Sequence, residues 1–390
     1  MKVLMTADAV GGVWSYAMTL CASLQSHGVD VTLATLGPRP TAEQARTAAA
    51  LNNVRLFESD YRLEWMPEGW KDQDAAGQWL LQLADAEAAD VVHVNGYSLA
   101  ALRWRRPTVC VAHSCVSSWW RAVHGVAPSI KWQAYRCGVV AGLNSADQVV
   151  APTQAFLAEL KGCYQGGWQG SWSARVIYNG MASDNDAADT GRRRPIVFAC
   201  GRPWDAAKNM GVLDEAAREL PWPVYLAGDL RGPDGSRFAS SSLRALGSLP
   251  GNEVVSWLRQ GSIFVHPALY EPFGLAVAEA AASGCALVLA DIPTLRELWD
   301  GAAEFFDPRD ARELSVAVNA LIADPMRRRE LGIAARQRAA GYSARAMAGR
   351  YCELYKTLIG ASQRRLEDGG ERFGMAPSSS RSTQAQAVRV

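Results

Sequence analysis

No segment of the chain reaches the ~18 uncharged apolar residues of a membrane-spanning helix, although hydrophobic residues fill 49% of its 390 positions. The opening MKVLMTADAVGG is too short an apolar run for a signal peptide and precedes no small-residue cleavage pattern. A soluble, cytoplasmic protein is therefore expected, with peripheral membrane contact left open. An excess of either charge is also missing: 40 lysines and arginines face 39 acidic residues. Nothing global draws the chain to nucleic acid, so an anionic ligand must be held by a local site. The eight cysteines, at 21, 110, 115, 137, 163, 200, 285 and 352, form no CxxC pair. Several lie in apolar runs, which reads as small core hydrophobes in a reducing compartment.

What is present is enough apolar material for two cores, since single cores stop growing well below this length. Lys2 to Thr6 reads as a strand, Gly11-Gly12 as a turn, and Val13, Tyr16, Ala17, Leu20, Cys21 and Leu24 recur at helical spacing before Gly28. Further strands are predicted at 31–36, 54–57, 91–94, 108–112, 148–152 and 175–178. Residues 182–195 are polar and aperiodic, and a second series follows with strands at 196–200, 224–227, 263–266, 286–290 and 304–306. Alternation of strands and helices implies doubly wound parallel sheets of Rossmann-like type, and two such halves leave a cleft between them. The expected organisation is a first domain over 1–185, a linker over 186–195 and a second domain over 196–343. A helix over 344–360, carrying Met347, Tyr351, Leu354, Tyr355 and Leu358 on one face, is expected to pack back on the first domain, with 361–390 as a disordered tail.

The strongest constellation runs from His266 through Pro272-Phe273-Gly274-Leu275 to Glu279 and Gly284. Glu271 falls in the loop after a buried strand, and Glu279 about one and a half turns into the next helix, so both carboxylates can border one cleft. The amides of Gly274 and Leu275 sit at the positive end of that helix, where a diphosphate is favoured. Read as a plain solvated acid, Glu279 is out of place, because Val277, Ala278, Ala280, Ala281 and Ala282 surround it and an acid there needs a partner.

This block resembles the retaining glycosyltransferases of family 4, whose signature is two glutamates separated by seven residues in a loop of the form EPFGLxxxEAxAxG. The resemblance implies that Glu279 binds the ribose of a nucleotide and Glu271 contacts the transferred sugar. It also implies a GT-B fold, with two Rossmann-like domains facing each other across a cleft.

A second constellation, Gly201-Arg202-Pro203-Trp204-Asp205-Ala206-Ala207-Lys208-Asn209, follows the first strand of the second half. Arg202 offers a planar fork and Lys208 a mobile charge for phosphate oxygens, although such a pair on a loop is often merely solvated. The family's GR…K(N/G) loop neutralises the leaving diphosphate, here with one more residue between arginine and lysine. Gly11-Gly12 could be an ordinary tight turn, yet it opens a helix whose amides can meet phosphate or sugar oxygens. The family has a GG turn there, facing the donor, and the pair does not form the dinucleotide-binding GxGxxG. His113 ends another strand, where the family often carries histidine beside the transferred sugar; Ser114 stands in place of the family's following aspartate. Trp119-Trp120-Arg121 and the loop with Trp65, Pro67 and Trp70 could stack on an acceptor, with packing the simpler reading. Tyr178-Asn179-Gly180 is similar to the family's NG turn near the hinge.

The catalytic set so implied is Glu271, His113, Arg202 and Lys208, and the donor-binding set is Gly11, Gly12, Arg202, Lys208, Phe273, Gly274, Leu275 and Glu279. No metal ligand and no cofactor are expected, only a nucleoside diphosphate sugar, UDP or GDP foremost, and a hydroxyl acceptor. The implied reaction is retaining transfer by a front-face route. The rival classes are an epimerase on the same plan, which would convert the donor without acceptor, and a non-catalytic binding protein, which would bind without turnover.

Overall fold

The computed structural model describes residues 1–164, 172–182, 193–232 and 235–367. Two parallel sheets carry the architecture, each from its own half of the chain. The first comprises β1 (Lys2–Asp8), β2 (Asp30–Leu36), β3 (Val54–Glu58), β4 (Val91–Val94), β5 (Thr108–Val111), β6 (Gln148–Ala151) and β7 (Ala174–Val176), in the order β3-β2-β1-β4-β5-β6-β7. The second comprises β8 (Arg194–Cys200), β9 (Val224–Ala227), β10 (Arg244–Gly247), β11 (Gly261–His266), β12 (Ala286–Ala290) and β13 (Glu304–Phe306), in the order β10-β9-β8-β11-β12-β13. Both orders reverse direction beside the first strand, which opens a crevice at the carboxyl ends of the central strands.

The central strands are continuous β-branched and aliphatic runs because helices cover both faces of a parallel sheet. Residues 261–266 and 286–290 are buried throughout. Edge strand β10, Arg-Ala-Leu-Gly, has no such run and two exposed residues, so hydrophobic patterning did not reveal it. Strand β8 begins at Arg194, two residues inside the span expected as linker, because Ser262 donates to the Arg194 carbonyl (2.6 Å) and extends the pairing. Residues 186–192 of that span lie outside the described residues, as do 368–390 of the expected tail.

The last helix, Ala344–Glu367, runs seven residues beyond the span expected for it. Met347, Tyr351, Leu354 and Tyr355 are buried in one cluster with Val3, Met5, Tyr16 and Leu20 of the first domain. Each such large side chain stabilises the docking by on the order of 1.5–3 kcal/mol. The chain crosses between domains where Met181 bridges Ser343. A second tie is Glu297, on the helix Pro293–Trp299 of the second domain. Its two oxygens accept from the amides of Gln154 (2.8 Å) and Ala155 (2.7 Å), capping the helix Gln154–Tyr164 of the first domain, while Tyr178 donates to it at 3.0 Å.

Candidate active site between the two sheets

Strand β11 ends at His266 and the chain turns through Pro267 and Pro272, which leaves Glu271 on a loop at the sheet's carboxyl edge. The Glu271 main-chain carbonyl accepts from Thr294 Oγ1 at 2.6 Å, which pins the loop. Its side chain is only 13% exposed, and Oε2 accepts from both Lys208 Nζ (2.6 Å) and His266 Nε2 (3.0 Å). Burial by itself would raise this carboxyl; the Lys208 charge and the His266 hydrogen bond outweigh it and hold Glu271 well below the usual range. Burial keeps His266 neutral, lowering its pKa, so Nε2 carries the proton it donates and the buried Nδ1 is left unpartnered. Both contacts fall on one carboxylate oxygen, and Oε1 has no hydrogen bond among the described residues.

The helix Leu275–Ala282 starts directly after this loop at Gly274, whose φ of 84° is left-handed and suits glycine. No side chain among the described residues caps this end, so its first amides are oriented as an anion would require. Glu279, one turn in, makes no hydrogen bond among the described residues, and burial pushes its carboxyl up to about 6. The partner expected from its apolar neighbours is therefore not supplied by any described residue. Phe273 departs from expectation: its ring is buried in the second core, edge-on to Tyr342 at 5.7 Å, and does not line the site. Packing claimed it: Pro272, Phe273 and Gly274 are buried in succession as the turn runs into the core.

The loop after β8 is shaped by Asp205. Its Oδ1 accepts from the Ala207 amide (3.0 Å), and its Oδ2 accepts from Arg202 Nη2 (3.0 Å), which sets the guanidinium at the cleft with 43% of the side chain exposed. Asn209, at φ 54°, donates its side-chain amide to the carbonyls of Pro267 (2.9 Å) and Pro308 (2.6 Å). That bolts the Arg202–Lys208 loop to the end of β11, and brings Lys208 onto Glu271 across 63 residues of sequence.

The first domain supplies the facing wall. A Cβ added to Gly11 would lie 3.0 Å from Arg202 Nη1, and one on Gly12 would lie 4.0 Å from Leu275 Cδ1, so the glycine turn lies directly opposite Arg202 and the start of the helix Leu275–Ala282. The helix Gly12–Leu24 also begins without a side-chain cap. Asp8, beside this turn, has its carboxyl raised by burial, with Arg202 pulling the other way. His113 donates from Nε2 to Asn95 Oδ1 at 2.8 Å and meets the Tyr16 ring at 4.5 Å. Trp119 joins the domains by donating its indole N–H to Asp205 Oδ1 at 3.1 Å, while Trp120 packs among Trp119, His124 and Trp132. Trp65 and Trp70 are exposed. Asn95 was missed by sequence reading, and His266, Asp205 and Asn209 stood within the two constellations without a role assigned to them. The fixed spacing of His266 to Glu271 and of Asp205 to Arg202 was the available signal.

Two Rossmann-like domains with unclaimed helix amides, paired cations and two carboxylates at their shared cleft define the GT-B class of transferases. The model described as Glycosyltransferase Family 4 matches residues 10–184, and the one described as Glycosyl transferases group 1 matches residues 235–338. The chain belongs to the family 4 glycosyltransferases and is an enzyme of that kind. It is similar to the alpha-maltose-1-phosphate synthase of Mycolicibacterium smegmatis, 28% identical over 304 residues that cover 65% of this chain and 75% of that protein. In fold it is similar to a sucrose-phosphate synthase from Thermosynechococcus elongatus, with TM-score 0.75, 19% identity, and coverage of 93% of this chain and 100% of that one. Anabaena HepE, solved in complex with UDP-glucose, gives TM-score 0.70 at 19% identity over 92% of this chain and 100% of that chain. No described helix is long and apolar enough to cross a membrane.

Proposed function

We propose that the enzyme transfers a glycosyl group from a nucleoside diphosphate sugar to a hydroxyl acceptor, with retention of configuration and without a metal. The observation that carries this reading is the convergence of Arg202, Lys208 and the uncapped amides of the helix Leu275–Ala282 on one edge of the second sheet, opposite Gly11 and Gly12. Charge developing on a leaving diphosphate would meet fixed donors there, and each such donor supplies on the order of 3 kcal/mol of transition-state stabilisation. Glu279, lacking a protein partner, would accept from the ribose hydroxyls, as the family resemblance implies. Glu271 would present Oε1 to the transferred sugar while Lys208 and His266 hold Oε2. In a front-face route the leaving phosphate oxygen takes the acceptor proton as the acceptor oxygen bonds to the anomeric carbon on the same face. A covalent glycosyl-enzyme on Glu271, trapped by mass spectrometry, would refute that route.

The acceptor would enter the recess of the first domain lined by Thr6, Asp8, Arg62, Glu64, Asn95 and Ser98. Arg62 there is engaged by Asp72 (2.8 Å) and Glu68 (3.5 Å), and Glu64 caps the amides of Tyr97 and Ser98. With its arginine neutralised and Asp8 nearby, the recess suits a neutral polyhydroxyl group better than a phosphorylated one.

UDP, GDP and ADP sugars tested for binding and hydrolysis against wild type, Glu279→Ala and Arg202→Ala decide the donor reading. One donor should bind, and both substitutions should abolish its binding. Binding that survives both would place the donor site elsewhere.

A further inference from the structure

We infer that Asn95 is a positioning residue that locks His113 in the Nε2–H tautomer, so that His113 meets a substrate hydroxyl only as an acceptor, through Nδ1. This rests on reading the cleft as the site of glycosyl transfer.

The assignment follows from donor and acceptor matching. Asn95 lies just past β4 and is clamped to the end of β1: its main-chain amide donates to Thr6 Oγ1 (2.9 Å) and its side-chain Nδ2 donates to the Thr6 carbonyl (2.6 Å). A carbonyl can only accept, so the amide nitrogen must face Thr6 and Oδ1 must face away. On that side Oδ1 meets His113 Nε2 at 2.8 Å and His93 Nε2 at 3.1 Å. An amide oxygen can only accept, so both rings carry a proton on Nε2. His93 Nδ1 then accepts from the Tyr355 hydroxyl at 2.5 Å, which links the chain of bonds to the last helix. His113 Nδ1 has no protein partner among the described residues, and the residue is partly exposed.

Charging either ring would disrupt this arrangement. The groups that face the pair are Tyr16 from the first helix, Tyr351 and Tyr355 from the last, and the two imidazoles themselves, none of which is a carboxylate. Burial, and for His113 the neighbouring His93, push the pKa values down to about 3 for His113 and about 4 for His93. A neutral ring with its proton bound to Asn95 cannot hand a proton to a departing group. His113 is thereby excluded as a general acid and left with Nδ1 as an acceptor alone.

The test uses the full chain with its histidines alone labelled with ¹⁵N; there are five of them. Two-bond ¹H–¹⁵N correlations report which ring nitrogen is protonated. His113 should show Nε2–H, unchanged between pH 8 and pH 5, and Asn95→Leu should produce a mixture of tautomers at His113 while His27, His124 and His266 keep their signals. An Nδ1–H ring in the wild type, titration near the ordinary histidine value, or an unaltered tautomer in Asn95→Leu would each overturn the inference. The readout needs no substrate, so it is separable from the transfer reading: addition of UDP-glucose, GDP-mannose or ADP-glucose should shift His113 Nδ1 only if the cleft holds the donor sugar.

Discussion

Glu279 is a desolvated carboxylate with no hydrogen bond among the described residues, and replacing it with glutamine tests both the site and its energetics. Its carboxyl is raised from 4.5 to about 6 by burial. The folded state thus holds this proton more tightly than the unfolded chain. The stability it contributes is fully present below about pH 4.5 and is lost as pH rises through about 6. A shift of this size corresponds to ~2 kcal/mol by which ionised Glu279 weakens the empty second domain at pH 8. Glu279→Gln keeps the shape without the charge, and should raise the melting temperature of the second domain by roughly 4–8 °C at pH 8, given ~2–4 °C per kcal/mol for a domain of this size. At pH 4.5 the gain should largely vanish. Scanning calorimetry of both proteins at the two pH values, with the domain transitions resolved, measures this. The same variant should lose donor affinity, since an amide presents one acceptor where the carboxylate presents two. Equal stability at pH 8, or a gain that does not depend on pH, would refute the claim that a half-buried, unpaired carboxylate stands at this position.

Lys208→Met leaves the Glu271 carboxylate with His266 as its one polar partner among the described residues; the second domain should lose about 3 kcal/mol in urea titration, and donor hydrolysis should fall by at least tenfold. Glu297→Ala uncaps the helix Gln154–Tyr164 and frees Tyr178 across the domain boundary. It should cost about 1 kcal/mol and enlarge the radius of gyration in solution scattering, with the donor KM rising more than kcat falls. Gly274→Ala forces a Cβ onto a φ of 84° within 3.3 Å of Glu271 Cγ. About 1–2 kcal/mol of stability should go, and a loss of donor binding read by calorimetric titration should accompany it.

Much of the molecule was legible in the chain because parallel sheets write themselves as buried aliphatic runs. Strands such as β11 and β12 needed no tertiary information, and the family resemblance carried by Glu271 and Glu279 across a Pro-Phe-Gly turn led to the expectation of a donor site in the second half. The Gly11-Gly12 turn and Arg202 were legible as candidates from their places at strand ends. Strand β10 was not, because an exposed edge strand of four residues carries no hydrophobic period. Phe273 was misread for a related reason: a turn residue beside a site can point into the core, and sequence adjacency does not give direction.

What sequence order determined is the supply of parts: two sheets, a loop with two cations, a helix opening on glycine. Which parts meet was decided only in three dimensions. Lys208 finds Glu271 because Asn209 ties its loop to the end of β11, and His93 is joined to Tyr355 across 262 residues because the last helix folds back on the first domain. Glu297 closes one domain on the other by capping a helix it does not belong to. Such contacts depend on the packing of whole elements against one another, and hydrogen-bond partners chosen at that stage leave no periodicity in the chain for a reader to find.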